Sequence, residues 1–161
     1  MQTIDNHVFL PGVDSSWRIA IVNAPYYKEE TDALVAEACR ALGEAGIPEE
    51  NITLHTVPGS FEIPLIGGEL ARSGTVDAMI GFGIIVQGET HHARLLAESV
   101  TQGMMDIQVE YGIPFAFEVL YVDRLEQART RASGDHNKGR EAAYAVLHSL
   151  ISLQRIRESA Y

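Results

Sequence analysis

Ala78-Met79-Ile80-Gly81-Phe82-Gly83-Ile84-Ile85-Val86-Gln87-Gly88-Glu89-Thr90-His91-His92 runs from an apolar segment through a glycine turn towards a helix. The apolar run predicts a strand within Val76 to Val86, with Ala78 to Phe82 at its centre. Thr90 is placed to cap the next helix, which extends to about Tyr111 before Gly112. Strand, glycine turn and helix thus follow one another within one short stretch, and the pattern recurs on both sides of it.

Upstream, Arg18 to Asn23 is a short β-branched run, the mark of a buried strand. Thr31 to Ala45 is helical, with Leu34, Ala38 and Leu42 on one face, Thr31 as cap and Gly46 as stop. Asn51 to Val57 reads as a second strand, ended by Pro58-Gly59. Phe61 to Ser73 reads as a helix with Pro64 in its first turn. Downstream, Pro114 to Val122 is a fourth strand, and Asp123 caps a short helix through Ala132. A break at Ser133 to Gly139 precedes a last helix from about Arg140 to Glu158.

The order β-α-β-α-β-α-β-α-α implies a parallel sheet covered by helices on both faces. Four strands make a small three-layer α/β/α sandwich of the flavodoxin-like kind. Residues 1–16 carry the turn formers Pro11-Gly12 and Asp14-Ser15-Ser16 and read as an arm. Val8-Phe9-Leu10 within it has strand character if a partner outside the domain pairs with it. Residues 17–161 form the single domain that a 161-residue chain, 46% hydrophobic, predicts.

Twelve Lys+Arg against 22 Asp+Glu give a formal charge of -10. That balance argues against sequence-independent binding of nucleic acid or an anionic membrane, which needs clustered cations. The lone cysteine, Cys39, excludes an internal disulfide and a Cys-rich zinc site. No His/Asp/Glu spacing points to a metal. No apolar stretch approaches the roughly 18 residues that span a membrane. The first residues lack the basic start and apolar run of a signal peptide. The expectation is a soluble, cytoplasmic protein.

In open parallel sheets the ligand lies beyond the carboxyl ends of the strands. Four loops leave those ends: Ala24 to Tyr27, Pro58 to Pro64, Gln87 to His92, and Tyr121 to Asp123. A planar ligand with polar edges suits a rim that holds Tyr26, Tyr27, Phe61, Glu62 and two histidines. Gly88, Glu89 and Thr90 lead into a helix start, whose free N–H groups and dipole favour an anion. The same dipole disfavours an imidazolium at His92, leaving the base form available for proton transfer. A solvated or capping histidine is the bland alternative. His91 points about 100° round the helix from His92, so one of the two at most faces a pocket. Tyr26, Tyr27 and Phe61 are either core aromatics or stacking residues. Glu62 either complements the dipole or accepts from ligand hydroxyls. Arg131 and Lys138 flank the Ser133 to Asn137 break and are notable cations in an acidic chain.

Three motifs stand in order: Val57-Pro58-Gly59-Ser60-Phe61-Glu62-Ile63-Pro64, then Val86-Gln87-Gly88-Glu89-Thr90-His91-His92, then Glu126-Gln127-Ala128 to Arg131-Ala132 with Asn137-Lys138-Gly139. Together they identify the sequence, from about Arg18 to the last helix, as resembling the 6,7-dimethyl-8-ribityllumazine synthases of riboflavin biosynthesis. That family condenses 5-amino-6-ribitylaminouracil with 3,4-dihydroxy-2-butanone 4-phosphate, releases phosphate and water, and uses no cofactor. The resemblance implies that Tyr26 stacks on the pyrimidine and that Phe61 is a second pocket aromatic. It gives Ser60 and Glu62 to the ribityl chain and its neighbourhood, and the Ile85 and Val86 backbone to the pyrimidine edge. It makes Gly88, Glu89 and Thr90 the phosphate loop and His92 the proton-transfer histidine. Phe117 and Arg131 match residues supplied by a neighbouring subunit, Arg131 to the phosphate, and Lys138 lies near the same pocket.

The family forms pentamers, in some members paired into decamers or gathered twelve at a time into shells. The short break between the last two helices favours a shell. The arm adds a strand to a neighbour's sheet, and riboflavin synthase is the implied partner. The sequence departs from the family pattern at several positions. Ala93 and Arg94 follow His92 in place of an aromatic and an acidic residue. Pro25 and Gln87 replace common basic residues, and Glu118 and Tyr121 stand where Gly and Thr are usual. The departures at Ala93, Arg94, Glu118 and Tyr121 motivate a rival reading, a non-catalytic flavin- or lumazine-binding protein on the same scaffold.

Overall fold

The computed structural model describes residues 10–161. Val8 and Phe9 of the expected arm strand therefore lie outside the described residues. The domain runs β1 (Ile19–Asn23), α1 (Lys28–Glu44), β2 (Ile52–Thr56), α2 (Ile63–Ser73), β3 (Ala78–Val86), α3 (His92–Tyr111), β4 (Phe115–Val122), α4 (Leu125–Arg131) and α5 (Lys138–Ser159). The four strands and five helices expected of the domain are present. The four strands form one all-parallel sheet in the order β2-β1-β3-β4. Chain order reverses between β1 and β3, and this switch point is where open α/β sheets hold ligands.

The sheet divides two cores. On one face Ile19, Ile21, Ile80 and Phe82 pack with Leu34, Leu42 and Leu147 of α1 and α5. On the other, Ala20, Val22 and Met79 pack with Ile63, Val100 and Met104 of α2 and α3. This is the three-layer sandwich. β1 is buried throughout and β3 nearly so, as expected of central strands covered twice. β2 and β4 are the sheet's two edges.

Helix starts differ from the sequence reading in all five helices; α2 begins at Ile63, not Phe61, and α3 at His92. α1 begins at Lys28, not Thr31, and Thr31 is buried inside it with its hydroxyl donating to the Tyr27 carbonyl at 3.1 Å. Asp123 does not cap α4; the Gln127 amide oxygen reaches back to the N–H groups of Asp123 (2.8 Å) and Arg124 (3.1 Å). α5 begins two residues early, at Lys138, because Asn137 caps it by accepting from the Gly139 N–H at 2.8 Å.

Candidate active site

The β1 loop carries Tyr26, which is exposed and packs edge-on against Tyr27 with ring centroids 5.2 Å apart. After β2, Ser60 to Glu62 form a single 3-10 turn before α2. That turn buries Ser60 and leaves Phe61 64% exposed. A side chain at Gly83 of β3 would strike the Ser60 hydroxyl at 2.4 Å, so the glycine lets the turn sit down on the sheet. Two exposed aromatics, Tyr26 and Phe61, thus stand at the ends of adjacent strands. Exposed aromatics are the informative exception to core burial and favour the stacking alternative.

After β3, Ile85 is buried and Val86 half-buried. The Gln87 N–H closes the β3–β4 ladder on the Val122 carbonyl at 2.8 Å. Gly88, Glu89 and Thr90 form an exposed turn. α3 begins at His92, one residue later than a Thr90 cap requires, yet the Thr90 hydroxyl still accepts from the His92 N–H at 3.4 Å. His91 and His92 are both exposed. The N–H groups of Glu89, Thr90 and His91 have no acceptor among the described residues. Free donors at the start of a 20-residue helix are what an anion site requires.

The remaining candidates gather elsewhere. Phe117, Arg131 and Lys138 line a cavity of about 370 Å³ along β4, with Glu118, Tyr121, Asp123 and Gln127. Arg131 is exposed, and its guanidinium donates to the Gln127 carbonyl at 2.9 Å. Lys138 is largely buried and pairs with Glu141 at 2.6 Å. Buried Glu30 of α1 holds Arg129 of α4 at 2.8 Å, tying down the helix that carries Arg131. Asn137 donates to the Ala132 carbonyl at 2.9 Å and the Ala33 carbonyl at 3.3 Å, fixing Lys138 at the start of α5.

Glu118 is a site feature whose surroundings the sequence did not show. Burial pushes its carboxyl up to about 7, against the pull of Lys138 and with a push from Glu141. Cys39 of α1 is half-buried against the core, and burial raises its thiol pKa. A second cavity, about 550 Å³, lies at the amino ends of the strands around Trp17, Asp77 and Arg157. None of the motif residues reaches it. Among the described residues there is no metal-binding group of His, Cys, Asp or Glu, and no helix long and apolar enough to cross a membrane.

The fold and these loops define a doubly wound parallel α/β protein with exposed aromatics and a turn of free N–H groups at the carboxyl edge. Comparison with known proteins narrows the class. The profile described as 6,7-dimethyl-8-ribityllumazine synthase matches residues 16–154. A 6,7-dimethyl-8-ribityllumazine synthase of Xylella fastidiosa (strain M12) is 38% identical over 140 residues, 86% of this chain and 91% of the relative. One from Xanthomonas euvesicatoria pv. vesicatoria (strain 85-10) is 39% identical over 140 residues, covering 86% and 90%. One from Stenotrophomonas maltophilia (strain K279a) is 37% identical over 142 residues, covering 88% and 92%. The chain belongs to the 6,7-dimethyl-8-ribityllumazine synthase family.

Proposed function

We propose that the chain condenses 5-amino-6-ribitylaminouracil with 3,4-dihydroxy-2-butanone 4-phosphate to give 6,7-dimethyl-8-ribityllumazine, phosphate and water. The observation that carries this reading is the family match across residues 16–154, which includes all three site motifs. The Gly88 to Thr90 turn, with its free N–H groups and His92 on the first residue of α3, supports it.

The chemistry asks for orientation, proton transfer and stabilisation of a departing phosphate. Tyr26 and Phe61 sandwich or flank the pyrimidine, while Ser60, Glu62 and the Ile85–Val86 backbone hold its ribityl chain and edge. The amine attacks the ketone carbonyl and water leaves. The turn binds the phosphate through N–H groups and the helix dipole as its C–O bond breaks. Exposed His92 takes and returns protons as phosphate leaves and as the ring closes with loss of a second water, a contribution on the order of 10²- to 10⁴-fold.

One chain supplies the parts but does not close the site. Phe61 follows β2, while Phe117 lies on β4, three strands away in the order β2-β1-β3-β4. Three strand spacings are roughly 14 Å, too far for both rings to flank one pyrimidine. In this reading a second copy brings its β4 edge, with Phe117, Arg131 and Lys138, to the first copy's Tyr26 and Phe61. That geometry supports a ring of copies, and the family reading makes it a pentamer. The cytoplasm is the proposed site of this reaction.

Purified protein mixed with both substrates, followed by product fluorescence, tests the reaction. Product must form well above the spontaneous rate. Tight flavin binding without turnover would favour the non-catalytic rival.

A further inference from the structure

The Gln87 side chain makes three hydrogen bonds. Its amide nitrogen donates to the carbonyls of Gly88 (2.8 Å) and Thr90 (3.0 Å). Its amide oxygen accepts from the Tyr121 hydroxyl, which comes from the neighbouring strand β4. Its own N–H is already held by the Val122 carbonyl at 2.8 Å. Gln87 is thus fixed at both ends, and the turn is folded around its side chain.

A trans peptide points its N–H opposite to its C=O. None of the described residues follows a cis bond. The carbonyl of Gly88 shares a peptide with the N–H of Glu89, and that of Thr90 shares one with the N–H of His91. Drawing both carbonyls onto Gln87 therefore turns the Glu89 and His91 N–H groups outward. These are donors without an acceptor among the described residues.

We propose that Gln87, held by Tyr121, is a positioning residue that aims the Glu89 and His91 N–H groups at the phosphate of the substrate. This inference rests on the phosphate-turn reading above. The brace adds no charge to the site. It acts by removing the freedom of the turn before the anion arrives, so its loss weakens phosphate capture rather than proton transfer. Tyr121 does not touch the anion; it acts only through Gln87.

Steady-state kinetics of Tyr121→Phe, Gln87→Ala and the double variant test this. Each single change should raise KM for the phosphorylated substrate about fivefold or more, the loss expected for one hydrogen bond. kcat and KM for the aminouracil should move less than twofold. The double variant should match Gln87→Ala, because Tyr121 has nothing left to hold. Unchanged KM in the single variants, or effects that add in the double variant, would overturn the proposal. Hydrogen exchange of residues 87–92 gives a readout independent of turnover. Exchange should be faster in both single variants, and inorganic phosphate should slow it in the wild type more than in Gln87→Ala. If the wild type makes no product, the functional reading fails and exchange alone decides the brace: rates equal to wild type in both variants reject it.

Discussion

Glu118 shows how a single residue ties stability to pH. It stands on β4 beside Lys138 and Glu141, takes no hydrogen bond among the described residues, and has its pKa raised by burial from 4.5 to about 7. The folded chain therefore binds this proton more tightly than the unfolded chain. Its favourable contribution is complete below about pH 4.5 and is lost as pH rises to about 7, by at most roughly 3 kcal/mol. Glu118→Gln should therefore be more stable than the wild type at pH 8 and about equal at pH 4. Denaturant midpoints at fixed protein concentration measure the gap, and a gap that persists on acidification would refute the assignment. Arg131 invites a different residue-scale test. Its guanidinium is exposed and anchored only to its own helix, so Arg131→Ala should leave the fold intact. KM for the phosphorylated substrate should rise tenfold or more, the worth of a charge-assisted bond. Equal loss for a ligand lacking phosphate would contradict that role.

At the scale of elements, periodicity made the four strands and five α-helices of the domain legible, while their starts were less so. Thr31 looked like a cap because Tyr26 and Tyr27 are poor cap formers. In fact the helix begins three residues earlier and carries Glu29 and Glu30 in its first turn, where the dipole favours them. At α4 the cap is a side chain inside the helix, Gln127, which no rule about the preceding residue could find. The candidate residues of the turn were legible because they are contiguous. The pairing of Gln87 with Tyr121 was not, since those residues lie 34 apart and meet only through the parallel register of β3 and β4. Close helix contact carries the element-scale prediction. A Cβ at Gly139 would lie 2.1 Å from the Leu34 carbonyl oxygen, so Gly139→Ala must push α5 off α1. A Cβ at Gly81 would meet chiefly the flexible end of Met104, at 2.6 Å. Thermal unfolding should show a loss of about 3 kcal/mol for Gly139→Ala and clearly less for Gly81→Ala. Equal losses would mean that α5 can shift freely.

For the whole molecule, a charge of -10 and an anionic substrate are reconciled by local design. Under the proposed function, the free N–H groups of the Gly88 to Thr90 turn, with Arg131 and Lys138 of a second copy, would make the exception. Exposed apolar side chains at Leu65 of α2 and at Leu95, Met105 and Val109 of α3 are consistent with faces buried between copies. The β2 edge, half-exposed along its length, is open to an added strand. Mass measurement in solution should give a multiple of five chains of 17.7 kDa. A monomer would contradict the shared-site reading.

Co-assembly of two damaged chains tests the shared site most directly. Assayed with the phosphorylated substrate well below its KM, His92→Ala and Arg131→Ala are each slow alone. Unfolded together in equal amounts and refolded, they form some contacts in which an intact His92 faces an intact Arg131. Random mixing makes these about a quarter of all sites. Recovery to about a quarter of the wild-type rate is the predicted result. A mixture no faster than the mean of the two variants would contradict the account, because both residues would then serve a site within one chain.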